Sequence, residues 1–275
     1  MSHLQEQFNK DGFLILRGFF DPQEVKTLYE EAKQTFAIQI KRVLGNVPDT
    51  NDRDAFEQAM YDYFNADFES FVGTGKNVQH SLGLYRLNTD PRLVNLLQTL
   101  GIEKPIIGVK PAMQFNSRFL SKGGTHWRLG AHQDWRSGQG SLDSMVVWFP
   151  MVPCDHDLGV LQVVPGSHTH GLMEATGVSY EGALQSDYAD EAYIEENLYP
   201  GDILIFSALL VHRSGNNVSN NIRWSVQYRF NNLAEPTFIE RGYPHAYDYK
   251  PQQQLITPNF PTKEQIAQLY SQIEA

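Results

Sequence analysis

Cysteine is almost missing from this chain: Cys154 stands alone among 275 residues. One thiol cannot close an intrachain disulfide or build a multi-cysteine zinc or iron–sulfur site. Cys154 therefore reads as a small buried or half-buried side chain, and nothing calls for an oxidising compartment. Basic residues are also few, 22 against 32 acidic ones, giving a formal charge of −10. A protein that neutralises many phosphates needs the opposite balance, so nucleic acid is not an expected partner. An anionic membrane surface is disfavoured for the same reason. No apolar run approaches the length of a membrane span. Met1 to Asp11 lacks a basic stretch followed by an apolar one, the pattern of a secretory signal. The expectation is a soluble cytoplasmic protein acting on a small molecule, with its oligomeric state open. Repeats, low-complexity tracts and flexible linkers are absent, so one domain over 1–275 is the economical reading.

What is present is ordinary folded composition, 41% hydrophobic and 20% charged. The first part, 1–105, reads as mainly helical. Phe13 to Arg17 forms a short apolar run suited to an edge strand. Asp21-Pro22 follows as a helix start, with Glu24 three residues after the cap, and the spacing predicts a helix to about Ala37. Asp49 to Phe71 suggests more helix, and Asp90-Pro91 opens another that stops at Gly101. From 106 to 235 the pattern changes. Ile106–Phe115, Ser144–Pro150, Gly159–Val164, Asp202–Phe206 and Arg223–Phe230 are short, rich in β-branched and aromatic residues, and bounded by turn formers. Such strands predict an all-β sandwich or barrel, of which a jelly roll is one solution, with the helices packed outside it. The polar stretch 166–197 is long for a plain connection and reads as a lid-like insertion; 236–275 is a C-terminal extension.

The chemistry concentrates at Ala131-His-Gln-Asp-Trp135. In extended backbone, residues i and i+2 point the same way, so His132 and Asp134 present an imidazole and a carboxylate together. His212, just after the apolar strand Asp202–Phe206, supplies a third ligand. Two histidines and one carboxylate on one face of an octahedral metal leave three positions open, the facial triad of non-haem iron(II) oxygenases. Alone, a His-x-Asp triplet is as readily a hydrogen-bonded pair in a turn. What raises it is the later block. Arg223, Ser225, Gln227 and Arg229 alternate onto one strand face, while Trp224, Val226, Tyr228 and Phe230 share the other. An arginine beside a hydroxyl suits the far carboxylate of a dicarboxylate, since the guanidinium fork matches it and stays charged.

These residues carry a resemblance to the phytanoyl-CoA dioxygenase family of iron(II)/2-oxoglutarate oxygenases over most of the chain. Gly12-Phe-Leu-Ile-Leu-Arg-Gly-Phe-Phe-Asp-Pro-Gln-Glu-Val25 resembles the family's opening strand and helix. Leu161-Gln-Val-Val-Pro-Gly-Ser-His168 resembles its Pro-Gly-Ser-His turn, and Tyr199-Pro-Gly-Asp-Ile-Leu-Ile-Phe206 its strand before the distal histidine. The resemblance implies a double-stranded β-helix core of jelly-roll, cupin-like type. It implies Fe(II) on His132, Asp134 and His212, and 2-oxoglutarate chelating that iron with Arg223 and Ser225 on its distal carboxylate. Ser214, Trp148 and Gln114 are expected to line the co-substrate site. The implied reaction consumes O2 and hydroxylates a C–H bond, with succinate and CO2 released. Asp134 is intact, which disfavours the halogenase variant. The family name suggests an acyl-CoA, against which the acidic charge weighs slightly.

Other residues are weighed against plainer roles. Arg229 either meets an anionic group on the substrate or pairs with a buried acid. Trp135, Arg136 and Trp127 lie beside the metal motif and are candidate substrate contacts, with His126 next to them. Cys154-Asp-His-Asp157 looks like a metal cluster but reads as a polar loop, because adjacent residues splay. His168 and His170 read as turn hydrogen-bonders. Two competing classes remain: a cupin-like isomerase or hydrolase, which would have no use for Arg223 and Ser225, and a non-catalytic binding protein.

Overall fold

The structure is a computed structural model and describes residues 2–122, 129–176 and 183–244. Its helices and strands in chain order are α1 (His3–Asp11), β1 (Phe13–Leu16), α2 (Pro22–Leu44), α3 (Arg53–Ala66), α4 (Phe68–Val78), α5 (Leu82–Asn88), α6 (Pro91–Thr99), β2 (Pro105–Asn116), α7 (Trp135–Gly138), β3 (Met145–Pro150), β4 (Leu161–Val163), β5 (Ile203–Ser207), β6 (His212–Ser214), β7 (Arg223–Asn232) and α8 (Pro236–Glu240). Helical residues outnumber strand residues, yet the strands carry the site. Among the described residues no helix is long and apolar enough to cross a membrane.

Capping chemistry sets the helices. Asp21 accepts from Gln23 N while Glu24 accepts from Asp21 N, a closed capping box that starts α2. The helix runs to Leu44, beyond the expected Ala37, because Phe36 and Ile40 continue the buried stripe until Gly45 takes a left-handed φ of 83°. The helical stretch expected over Asp49–Phe71 is two helices. Asp67 breaks it with an extended φ of −147° and recaps α4 by accepting from Ser70 N. The short helix α5 was not legible from the pattern.

Five antiparallel strands form one sheet in the order β1-β5-β3-β7-β2, and β4 and β6 pair in a second. β1 sits at the edge, as the short apolar run predicts. β4 is trimmed to three residues because Val164 leaves the ladder and donates to Val211 O. The outer face of β7 packs on the helices: the Trp224 ring lies 5.1 Å from Tyr29 and 5.9 Å from Phe36 of α2, and 4.8 Å from Phe115 on the neighbouring strand β2. Tyr228 Oη donates to Leu84 O at 2.8 Å. Full burial of each such ring stabilises the fold by about 2–3 kcal/mol. Glu57, buried on α3, pins the start of β7: its carboxylate accepts from Ile222 N at 2.7 Å, Trp224 Nε1 at 3.1 Å, Asn221 Nδ2 at 3.1 Å and Arg53 Nε at 3.0 Å. The inner face of β7 looks toward β6, and the site lies between them. The two antiparallel sheets with helices packed outside are the expected jelly-roll arrangement.

Candidate metal and co-substrate site

His132 and His212 lie opposite each other in a narrow bridge, exchanging backbone hydrogen bonds of 3.0 and 3.2 Å. This antiparallel pairing sends both imidazoles to one side, with ring centroids 4.2 Å apart. Gln133, between the two expected ligands, points away and ties the chain down by donating to Gly171 O and Leu209 O and accepting from Met173 N. Asp134 begins α7 but uses no side-chain oxygen to cap it, so its carboxylate stays with the histidines. Asp134 Oδ1 is 3.6 Å from His132 Nε2, and Oδ2 is 3.9 Å from His212 Nε2. One ligand atom from each residue lies within 4.8 Å of the others, and all three side chains are buried. Among the described residues no other set of His, Cys, Asp or Glu is so arranged.

The tautomers follow from the partners. His132 Nδ1 meets Gly130 O at 2.7 Å and His212 Nδ1 meets Leu210 O at 3.0 Å. A carbonyl only accepts, so each Nδ1 carries the proton and each Nε2 presents a lone pair, the form a metal requires. Burial and the neighbouring His132 lower the His212 pKa to about 3. Burial alone would raise the Asp134 carboxyl, but Arg229 and the two histidines override it and hold it well below the usual carboxylate range. His212 is thus a neutral imidazole and Asp134 a carboxylate, and with His132 beside them the donor set suits a divalent cation.

Arg223 is fully buried, and among the described residues it forms no ion pair. Burial depresses its pKa, though not enough to take the proton from a guanidinium. It donates to Gly159 O and, at 3.2 Å, to Ser214 Oγ. Among the described residues its Nε has no partner, nor have Ser225 Oγ and Trp148 Nε1, all three buried. Gln114 stands opposite Ser225 in the β2–β7 register, and Trp148 opposite Gln227 in β3–β7, so all belong to the inner face. An uncompensated buried cation with one unmet donor of its own and two orphaned polar atoms beside it makes a cradle for an anion that also accepts hydrogen bonds. The donor set fits a dicarboxylate with one end at Arg223.

A cavity of about 200 Å³ opens between His132 and Asp134 on one side and β2 on the other, with Gln114, Gln227 and Arg229 also on its walls. Not every expected contact faces it as foreseen. Arg229 is forked onto Asp134 rather than free, which realises the buried-acid alternative. Arg136 donates to Met173 O, and Trp135 Nε1 donates to Ser141 O at 3.0 Å, so both are held by backbone carbonyls. Trp127 and His126 lie outside the described residues, as does part of the 166–197 insertion. Its described flanks dock on the metal segment, with Leu184 N donating to Ala131 O at 3.0 Å. Cys154 is buried while His156 turns to Glu195 at the surface, so Cys154–Asp157 do splay. Gln227 joins the site as well: its Nε2 donates to Asp134 Oδ2 at 2.7 Å. Alternation from Ser225 put it on the right face, but nothing in the sequence gave it a partner.

The phytanoyl-CoA dioxygenase (PhyH) family model matches residues 8–225. A 1-deoxypentalenic acid 11-beta-hydroxylase of Streptomyces exfoliatus is 26% identical over 263 residues, covering 87% of this chain and 83% of that protein. Among solved structures, the epimerase SnoN in complex with Fe3+, alpha ketoglutarate and nogalamycin RO aligns with a TM-score of 0.57 at 18% identity, covering 83% of this chain and 82% of that one. EvdO2 of Micromonospora carbonacea var. aurantiaca complexed with 2-oxoglutarate aligns at 0.55 and 15% identity, over 84% and 90%.

Proposed function

The chain belongs to the phytanoyl-CoA dioxygenase family, and on that premise we propose that His132, Asp134 and His212 hold the iron while Arg223 and Ser225 hold the far carboxylate of 2-oxoglutarate. The enzyme class is an iron(II)- and 2-oxoglutarate-dependent dioxygenase. Bound iron, with 2-oxoglutarate and O2, supplies the oxidising power to hydroxylate a C–H bond of a small molecule, releasing succinate and CO2. The Streptomyces relative's name as a hydroxylase supports hydroxylation as the outcome.

The observation that carries the residue assignment is Arg223. A buried guanidinium with no acid among the described residues is unfavourable unless an anion completes it. Ser214 orients it, and the unpartnered Ser225 Oγ and Trp148 Nε1 add donors beside it. Gly130 and Leu210 fix the imidazole tautomers, while Gln227 and Arg229 fix the carboxylate. Gln114 completes the co-substrate wall. The competing cupin-like isomerase or hydrolase would need the three metal ligands but no dicarboxylate cradle.

An anaerobic titration tests this reading. Metal-free protein is loaded with Fe(II) and then 2-oxoglutarate, following the visible metal-to-ligand charge-transfer band. The band is expected in the wild type, absent in His212→Ala, and to need roughly 100-fold more 2-oxoglutarate in Arg223→Ala, the loss of about 3 kcal/mol typical of truncating a buried charge pair. A folded protein that binds metal without the band would move the isomerase or hydrolase reading forward.

A further inference from the structure

The β2 wall of the cavity beside His132 and Asp134 holds a cation, Lys110, that takes no part in the proposed iron and 2-oxoglutarate chemistry. Along β2 and β7, Val109 faces Arg229 and Ala112 faces Gln227, so three steps on β2 match two on β7. The extra residue falls at Lys110-Pro111. Pro111 has no N–H for the ladder, and a bulge there breaks strict alternation and re-aims the side chains beside it. As a result Val109 and its neighbour Lys110 both line the cavity that holds His132 and Asp134.

Lys110 Nζ donates to Gln79 Oε1 at 2.7 Å, and Gln79 is itself anchored at the end of α4 by donating to Gly75 O. An ammonium has three donors, and one is used here. Although the chain carries a net charge of −10, Lys110 forms no ion pair among the described residues. The Lys110 side chain is exposed to solvent where it lines this cavity, and local desolvation together with the like charge of Lys76 depresses its pKa, which a bound anion would offset. Arg229, the other cation lining the cavity, is neutralised by Asp134. The unbalanced positive charge of the cavity therefore sits on Lys110.

We infer that the prime substrate carries a carboxylate, and that Lys110, positioned by Gln79 and the β2 bulge, binds it and so directs another part of the molecule to the His132–Asp134–His212 face. This rests on the dioxygenase reading and deepens it, since it names the substrate class and the residue that selects it.

The test uses full-length enzyme, anaerobic, with saturating Fe(II) and 2-oxoglutarate. The probes are three small carboxylic acids with straight-chain, alicyclic and aromatic bodies, each beside its methyl ester and the corresponding amine. Perturbation of the charge-transfer band gives a half-saturating concentration for each. In the wild type at least one acid is expected to bind tenfold or more tighter than its ester. Lys110→Met should erase that preference, and Lys110→Glu should shift it to the amine. The 2-oxoglutarate half-saturation should stay within twofold in both variants, which also shows them folded. Acids that bind no better than esters on all three bodies would overturn the inference, as would a preference that survives Lys110→Met. Weakened 2-oxoglutarate binding in Lys110→Met would overturn it too, by assigning the lysine to the co-substrate. Failure of the wild-type band before any probe is added would instead count against the dioxygenase site itself.

Discussion

Arg229 lays its guanidinium across both oxygens of Asp134, Nη2 on Oδ1 at 3.0 Å and Nε on Oδ2 at 3.3 Å. The fork keeps a buried carboxylate ionised and fixes its plane, with Gln227 as a third donor. Partners of this kind are worth about 10–100-fold in metal affinity. Arg229→Met should therefore raise the Fe(II) concentration for half-maximal succinate formation by that factor. Arg229→Lys should recover only part, since an ammonium keeps the charge but not the fork. A rise in substrate KM with an unchanged iron titration would return Arg229 to the substrate.

The contrast between Gln227 and Lys110 shows how far the sequence can be read. Strict alternation along β7 put Arg223, Ser225, Gln227 and Arg229 on one face, and the structure keeps them there, because nothing interrupts that strand from Arg223 to Asn232. Alternation along β2 fails at Lys110, since a bulge is a property of the pairing of two strands and leaves little trace in one of them. The convergence of the proposed metal set was legible because its residues are chemically distinctive. The choice for Arg229 was not, because the same inward face reaches both a substrate and a buried acid. Helix caps were read from Asp21 and Asp90, whereas the break at Asp67 lies within a continuous helical pattern and is visible only once its side chain accepts from Ser70 N.

The isolation of Arg223 predicts a trade between stability and binding. A desolvated, unpaired guanidinium is unfavourable by several kcal/mol, only partly offset by Gly159 O and Ser214 Oγ. Without 2-oxoglutarate, Arg223→Met should melt no lower than the wild type. Added 2-oxoglutarate should raise the wild-type Tm in proportion to the logarithm of its concentration and leave the variant unmoved. A variant that melts far lower and still responds to the ligand would show that Arg223 serves packing instead.

Glu57 couples the helical layer to the same strand. Its four donors include Ile222 N and Trp224 Nε1, on either side of Arg223. Glu57→Ala strands these groups and should destabilise the fold by about 3–5 kcal/mol in urea unfolding, because buried donors are left unmet. Since the start of β7 is then no longer pinned, 2-oxoglutarate half-saturation should rise as well. A stability loss below about 1 kcal/mol, the net worth of one ordinary hydrogen bond, would mean that water replaces the carboxylate.

The triad should also register in the pH dependence of the metal-free protein. Burial and His132 lower the folded-state pKa of His212 from 6.5 to about 3. The unfolded chain therefore takes up this proton first as the solution is acidified. The neutral ring's contribution to stability is complete above pH 6.5 and declines as pH falls from there toward 3. Asp134, also lowered, acts in the same direction at more acidic pH. Metal-free wild type should thus lose more Tm between pH 7.5 and about 4.5 than metal-free His212→Gln, which has nothing to titrate at that position. Fe(II) affinity should fall through the same window, because the proton and the metal compete for one Nε2 lone pair. Parallel Tm losses in the two proteins would mean that water reaches His212 and that its burial is not what keeps the ring neutral.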